Sequence, residues 1–230
     1  MKNSHILRSR IAQARLAKPL TLHPRFDDLY PEYLFRTYCI AESSVPLMQA
    51  ALAELELFTQ PRQLTRAFSS YLTRHIKEEA RHDQWLLEDL QVLGHEPAQI
   101  RARPAPLSIA RGVGAQYYWI RHAHPVALLG YMAVLEGSFP GQSTIEETIH
   151  HSRHPRQAFR TFLYHAKLDP EHSQEVFELL DRLPLKEDLL RLLDTSFLAT
   201  LTLLSDNARE LLRGLKGRRA AADPGQQLLD

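Results

Sequence analysis

The residues able to do chemistry in this chain are carboxylates and histidines on otherwise apolar stretches. RHIKEEARHDQWLL carries His75, Glu79 and His82 at i, i+4 and i+7, the spacing that shares one helical face. Within it, Glu79 and His82 form an E-x-x-H pair. YHAKLDPEHSQ repeats the offsets with His165, Asp169 and His172. Two further glutamates stand alone, Glu42 after YLFRTYCIA and Glu136 after VALLGYMAVL. An ionised carboxylate in such surroundings costs several kcal/mol or shifts its pKa unless it is paired or metal-bound. Taken together, Glu42, Glu79, His82, Glu136, His165, Asp169 and His172 suit iron or manganese. Zinc takes fewer ligands and often sulfur, and magnesium and calcium prefer all-oxygen sites.

Each element also has a plainer reading. Lys77, Glu78, Arg81 and Asp83 surround the E-x-x-H, as on a solvated face. Asp169 followed by Pro170 reads as an N-cap and first helical residue. Glu42 can pair with Arg36, and Glu136 can escape to water from a helix end. A second E-x-x-H, Glu147 and His150, follows Glu136 too closely to sit on a separate long helix, so His150, His151 and His154 read as a surface cluster. The lone cysteine, Cys39, excludes an internal disulfide and reads as a small core residue.

The elements that must position these groups are helical. Apolar residues recur at three and four from Asp27 to Leu55, with Pro46 as a kink. A second helix is expected from Pro61 to Leu93, stopped by Gly94. Residues 95–106 read as a connection, 107–122 as a helix, and Pro125 opens another that ends near Gly137. A turn and a short helix lead to His151. Pro155 opens a helix to about Lys167, Asp169-Pro170 opens the next, and a long helix spans about 185–215. No alternating strand pattern appears. The expectation is a single all-α bundle over 1–220 with a flexible tail at 221–230.

Composition narrows the function classes. A net charge of +1 gives no general push toward nucleic acid. No apolar run reaches the roughly 18 residues of a membrane span, and the basic N-terminus lacks an apolar signal region. A cytoplasmic protein is expected. Arg36, Arg74, Arg81 and Arg160 lie near the ligand-bearing segments and can meet a substrate carboxylate. Leu129, Met132 and Ala133 are expected to line an apolar pocket beside Glu136.

In their order, these elements resemble the haem-oxygenase-like di-iron oxidases and oxygenases, helical bundles that share their shape with TenA-type and PQQ-forming enzymes. That family's pattern is a Glu, an E-x-x-H, a Glu and an H-x-x-x-D-x-x-H. It is matched here by Glu42, by Glu79 with His82, by Glu136, and by His165, Asp169 and His172, over about residues 28–180. The resemblance implies two Fe(II) ions held by those residues, with O2 as co-substrate. It implies oxidation of a small metabolite, an amino acid or derivative, or in the alternative a fatty acid. A metal-independent TenA- or PqqC-like enzyme is the other alternative. Leu72 stands where the N-oxygenating branch has an additional carboxylate, which turns the expectation toward C–H, C–C or C–N chemistry. His75 is expected behind the ligands rather than among them, the segment around Pro170 to be the least rigid part of the site, and a homodimer is possible.

Overall fold

A computed structural model describes residues 3–14, 23–57 and 62–222, with the side chains of 5–12, 23–57, 62–168 and 170–214. Pro61, the Asp169 side chain and residues 223–230 of the expected tail lie outside that set. The described residues contain helices and no strand: α1 (Asn3–Ala14), α2 (Phe26–Leu55), α3 (Arg62–Glu78), α4 (His82–Val92), α5 (Pro97–Ala102), α6 (Leu107–His122), α7 (Ala127–Ser138), α8 (Gln142–His151), α9 (Arg160–Arg182) and α10 (Glu187–Ala222). A short 3-10 turn, Arg156–Phe159, leads into α9. Among the described residues, no helix is long and apolar enough to cross a membrane.

Two apolar clusters form the interior. One joins α1, the later half of α2, α3, α7, the later half of α9 and α10, through residues such as Leu47, Phe68, Tyr131, Phe177 and Phe197. The other joins the first half of α2, α4, α8 and the start of α9, through Tyr30, Phe35, Leu86, Phe159 and Phe162. The boundary falls at the same level on three helical segments: between Cys39 and Leu47, between Leu72 and Leu86, and between Ala166 and Val176. His75, Glu79, His82, Glu136, His165 and His172 lie at that seam.

Close packing sets the depth of α7, the most apolar helix. At Gly130 a Cβ would come 2.4 Å from the Leu193 carbonyl oxygen and 2.8 Å from the Phe197 nitrogen. Only glycine lets the backbones of α7 and α10 approach this closely. Cys39 is buried, and burial pushes its thiol up to about 12, which suits a core residue and not a nucleophile.

Several helix boundaries differ from those read in the sequence. The expected Pro61–Leu93 helix is interrupted: Glu79, Ala80 and Arg81 leave helical geometry, and Arg81 takes a left-handed φ of 77°. Nothing in EEARHD signals a break, because glutamate, alanine and arginine all favour helix. Packing overrides that preference. Beyond it the expected stop is present: Gly94, at φ 85°, donates to the Gln91 carbonyl, and His95 donates to that of Leu90. These two bonds make a Schellman motif. Conversely, the expected break at Asp169-Pro170 is absent. α9 runs unbroken through Pro170, at the expense of the helical bond that a residue there would donate to Ala166.

Candidate metal centre

Side chains from α3, α4, α7, α9 and the turn between α3 and α4 converge at the seam in two groups that share one carboxylate. The first group is His75, Glu79, Glu136 and His172; the second is Glu79, His82 and His165. In each group one ligand atom per residue lies within 4.8 Å of all the others.

In the first group, His75 is 1% exposed and sits on α3 with its ring stacked on Tyr71. Its Nε2 lies 3.3 Å from Glu136 Oε1, and the other carboxylate oxygen, Oε2, lies 3.6 Å from His172 Nδ1. Burial works against charge on both imidazoles, but the Glu136 carboxylate outweighs it and raises both pKa values. The reciprocal holds for Glu136. Burial alone would raise its pKa, and the two imidazoles instead hold it well below the usual carboxylate range.

In the second group, His82 Nδ1 lies 3.0 Å from Glu79 Oε2, and the His82 and His165 rings meet edge to face with centroids 4.7 Å apart. Trp85 stacks on His82. His165 Nδ1 donates to the Thr161 carbonyl at 2.9 Å, one helical turn back, which leaves Nε2 with a free lone pair. Burial lowers the His165 pKa and favours that neutral form.

Glu79 joins the groups through different atoms. Its Oε2 faces His82, and its Oε1 lies 3.8 Å from His172 Nδ1. The turn at Arg81 lets this happen, because it re-aims the chain between the two residues of the E-x-x-H. A left-handed non-glycine residue costs on the order of 1 kcal/mol or more, and such strain gathers at functional sites.

These residues fit a metal. His82 Nε2 and His172 Nδ1 are buried with no hydrogen-bond partner among the described residues, a costly state for isolated imidazoles. Mixed imidazole and carboxylate donors are those that iron and manganese take. A cavity of about 20 Å³ adjoins the first group, walled by His75, Glu79, Glu136, Ser44, Met48 and Met132, among others. It has room for roughly one water-sized molecule. Of the three pocket residues expected from sequence, Met132 lines it; Leu129 and Ala133 are buried in the core beside it.

Not every expected residue arrives. Glu42 lies exposed on α2, accepts a hydrogen bond from the Tyr38 hydroxyl at 2.7 Å, and belongs to neither group. It does not pair with Arg36, whose guanidinium meets Glu32, Asn207 and Glu210. Arg74 and Arg160 are likewise held by carboxylates, Glu175 and Glu88. His75, expected behind the ligands, lies with Glu79, Glu136 and His172 in the first group. Its i−4 spacing from Glu79 carried that signal, and the charged neighbours obscured it. His150 and His151 are exposed and outside both groups, as expected for a surface cluster, whereas His154 is half-buried, its Nε2 2.8 Å from the Asp27 carbonyl oxygen.

A sequence profile of the family described as iron-containing redox enzymes matches residues 32–203. The chain belongs to this family. The match to the iron-containing redox enzymes spans both groups of candidate ligands. No curated protein matches the chain in sequence. Among solved structures, it is similar to a domain of unknown function with a heme oxygenase-like fold from Shewanella denitrificans, at 20% identity, TM-score 0.70 and 93% coverage of each chain. It is also similar to a TenA homolog from Pseudomonas syringae pv. tomato, at 12% identity and TM-score 0.66, covering 90% of this chain and 93% of that one. The helical bundle of this family member is therefore of the heme-oxygenase-like type.

Proposed function

We propose that the protein is an O2-dependent di-iron oxidase or oxygenase acting on a small metabolite. The observation that carries this reading is the shared Glu79, whose two oxygens face two imidazole-bearing groups. His75, Glu79, Glu136 and His172 would hold one iron; Glu79, His82 and His165 would hold the other. Asp169, one turn from each of His165 and His172, joins the set by the family resemblance. When bound, two Fe(II) ions supply electrons for O2 reduction. The chain's part is to hold the donors in place, with Glu79 offering one oxygen to each group, and to keep bulk water out with the apolar walls of the seam. An amino-acid derivative is the substrate class closest to the resemblance, with oxidation at C–H, C–C or C–N.

A metal-independent TenA-like reaction is the rival reading. The Cys39 thiol, buried and held near 12, offers no nucleophile for it, and it leaves the paired imidazole groups without a purpose. The deciding experiment loads metal-free protein anaerobically with Fe(II), then mixes it with O2. Uptake of about two irons per chain and O2 consumption that vanishes with chelator are expected. Full turnover of substrate in chelator, with no specific iron uptake, overturns the reading.

A further inference from the structure

A second cavity, of about 130 Å³, opens between α2, the end of α7 and α10. Its walls include Ile40, Leu204 and Leu211 on the apolar side, with Tyr33, Asn207 and Phe139. It stands one aromatic ring from the metal centre. Phe139 lines the cavity, and its ring centroid lies 5.3 Å from that of His165. Tyr33 and Phe139 both pack on Phe162, at 5.5 Å each, so a ring shift at Phe139 would open the cavity toward the His165 ring.

The polar equipment of this cavity is specific. Arg36 Nη1 donates to Asn207 Oδ1 at 2.8 Å. That bond fixes which end of the amide is oxygen, so the NH2 end remains a donor. Asn207 is 7% exposed. Among the described residues, neither its NH2 nor the Tyr33 hydroxyl has a hydrogen-bond partner. Burial pushes the Tyr33 phenol up to about 12, so it stays an O–H donor. The cavity therefore offers donors above an apolar floor.

Among the described residues it offers no free charge. Arg36 is matched by Glu32 and Glu210, and Glu32 in turn meets Arg103. These two cations and two carboxylates cancel. A substrate carboxylate would find no open cation here, and an ammonium no open anion. Either would lose its hydration without a partner.

We propose that this cavity receives a small uncharged molecule with an apolar body and a carbonyl-type acceptor, such as an amide, ester or ketone, and delivers it to the His165 side of the centre. Oxidation of the delivered molecule rests on the di-iron reading; its binding does not. The volume sets the size. It is well below the roughly 300–1,000 Å³ of drug-sized sites, so the ligand has few heavy atoms.

The test uses the full chain without metal and three probes of one skeleton: 4-methylvaleramide, 4-methylvalerate and 4-methylpentylamine. Binding is followed by calorimetry. The amide is expected to bind about ten-fold or more tighter than either charged probe. Tyr33→Phe is expected to weaken the amide several-fold, and Ala208→Phe, which fills the cavity, to abolish its binding while the melting temperature stays near wild type. In Co(II)-loaded protein the bound amide's methyl protons are expected to broaden, reporting their closeness to His165. Equal or tighter binding of a charged probe overturns the proposal. So does amide binding that survives Ala208→Phe. Iron uptake is measured separately on the same variants, so failure of the cavity and failure of the metal centre are told apart.

Discussion

Glu79 opens a break between two helices and His82 resumes the chain beyond it, yet Glu79 Oε2 lies 3.0 Å from His82 Nδ1. The residue that makes the break is Arg81, at φ 77°. Glycine adopts that conformation without strain and asparagine with little. Arg81→Asn is expected to stabilise the protein by about 0.5–1 kcal/mol, read as a rise of a few degrees in melting temperature. Arg81→Pro, which cannot take a positive φ, is expected to lose the His82 geometry and the metal of the second group.

The shared carboxylate predicts a pattern of metal loss. Glu79→Ala is expected to lose both irons, Glu136→Ala the iron of the first group, and His165→Ala that of the second. Glu42→Gln is expected to lose none, because Glu42 stands outside both groups and meets Tyr38. Elemental analysis after anaerobic loading reads all four. Loss of iron in Glu42→Gln would show that the family pattern, rather than the geometry, sets the ligands.

Proton competition at the first group fixes the pH dependence of loading. His75 and His172 have raised pKa values in the metal-free protein, with burial opposing and Glu136 overcoming it. Their stabilisation of the metal-free fold is full below the unfolded imidazole value and fades as pH rises through the folded one. A metal needs them neutral, so affinity is expected to fall as pH drops, with protons released on binding. Calorimetry in buffers of different ionisation enthalpy counts those protons.

Asp89 should give the fold a pH dependence of its own. It is 1% exposed, burial raises its pKa to about 6, and it accepts the Thr161 N–H at the start of α9 at 2.9 Å. A raised carboxylate favours folding most below its unfolded value. That contribution disappears as pH climbs toward 6, a change of roughly 2–3 kcal/mol. Asn keeps the acceptor and removes the charge. Asp89→Asn is expected to flatten the melting-temperature profile between about pH 4 and 6.5 and to be more stable than wild type at pH 7.5.

Gly130 sets the position of Glu136 from six residues away. A Cβ 2.4 Å from the Leu193 carbonyl oxygen cannot be absorbed by a side-chain rotation, since the obstacle is backbone. Gly130→Ala is expected to cost about 1–3 kcal/mol and to lower the affinity of the first group by moving α7 outward. Thermal unfolding and metal titration measure the two effects.

The sequence carried the helices whose ends are chemically marked. Gly94 and Pro125 announced boundaries that the structure has, and the apolar run before Glu136 announced a buried helix. It misled where two signals competed. Pro170 reads as a stop, yet the apolar face of α9, from Phe162 to Leu180, packs on both sides of it and keeps the helix whole. At Glu79–Arg81 good helix formers conceal a break that only the neighbouring helices impose. In the candidate site, spacing aligned His165 with His172 and Glu79 with His82. The facing of Glu136 toward His75, and of Glu42 away from both groups, depends on how α2, α3 and α7 rotate against each other, which no local pattern records.

Pro170 lies between His165, which serves the second group, and His172, which serves the first. The rung missing at Ala166 makes α9 a rod with a joint, one segment for each metal position. A substitution or a ligand that tilts one segment need not carry the other along. On the di-iron reading, one position is then free to drift toward a new substrate while its neighbour keeps its grip on the metal.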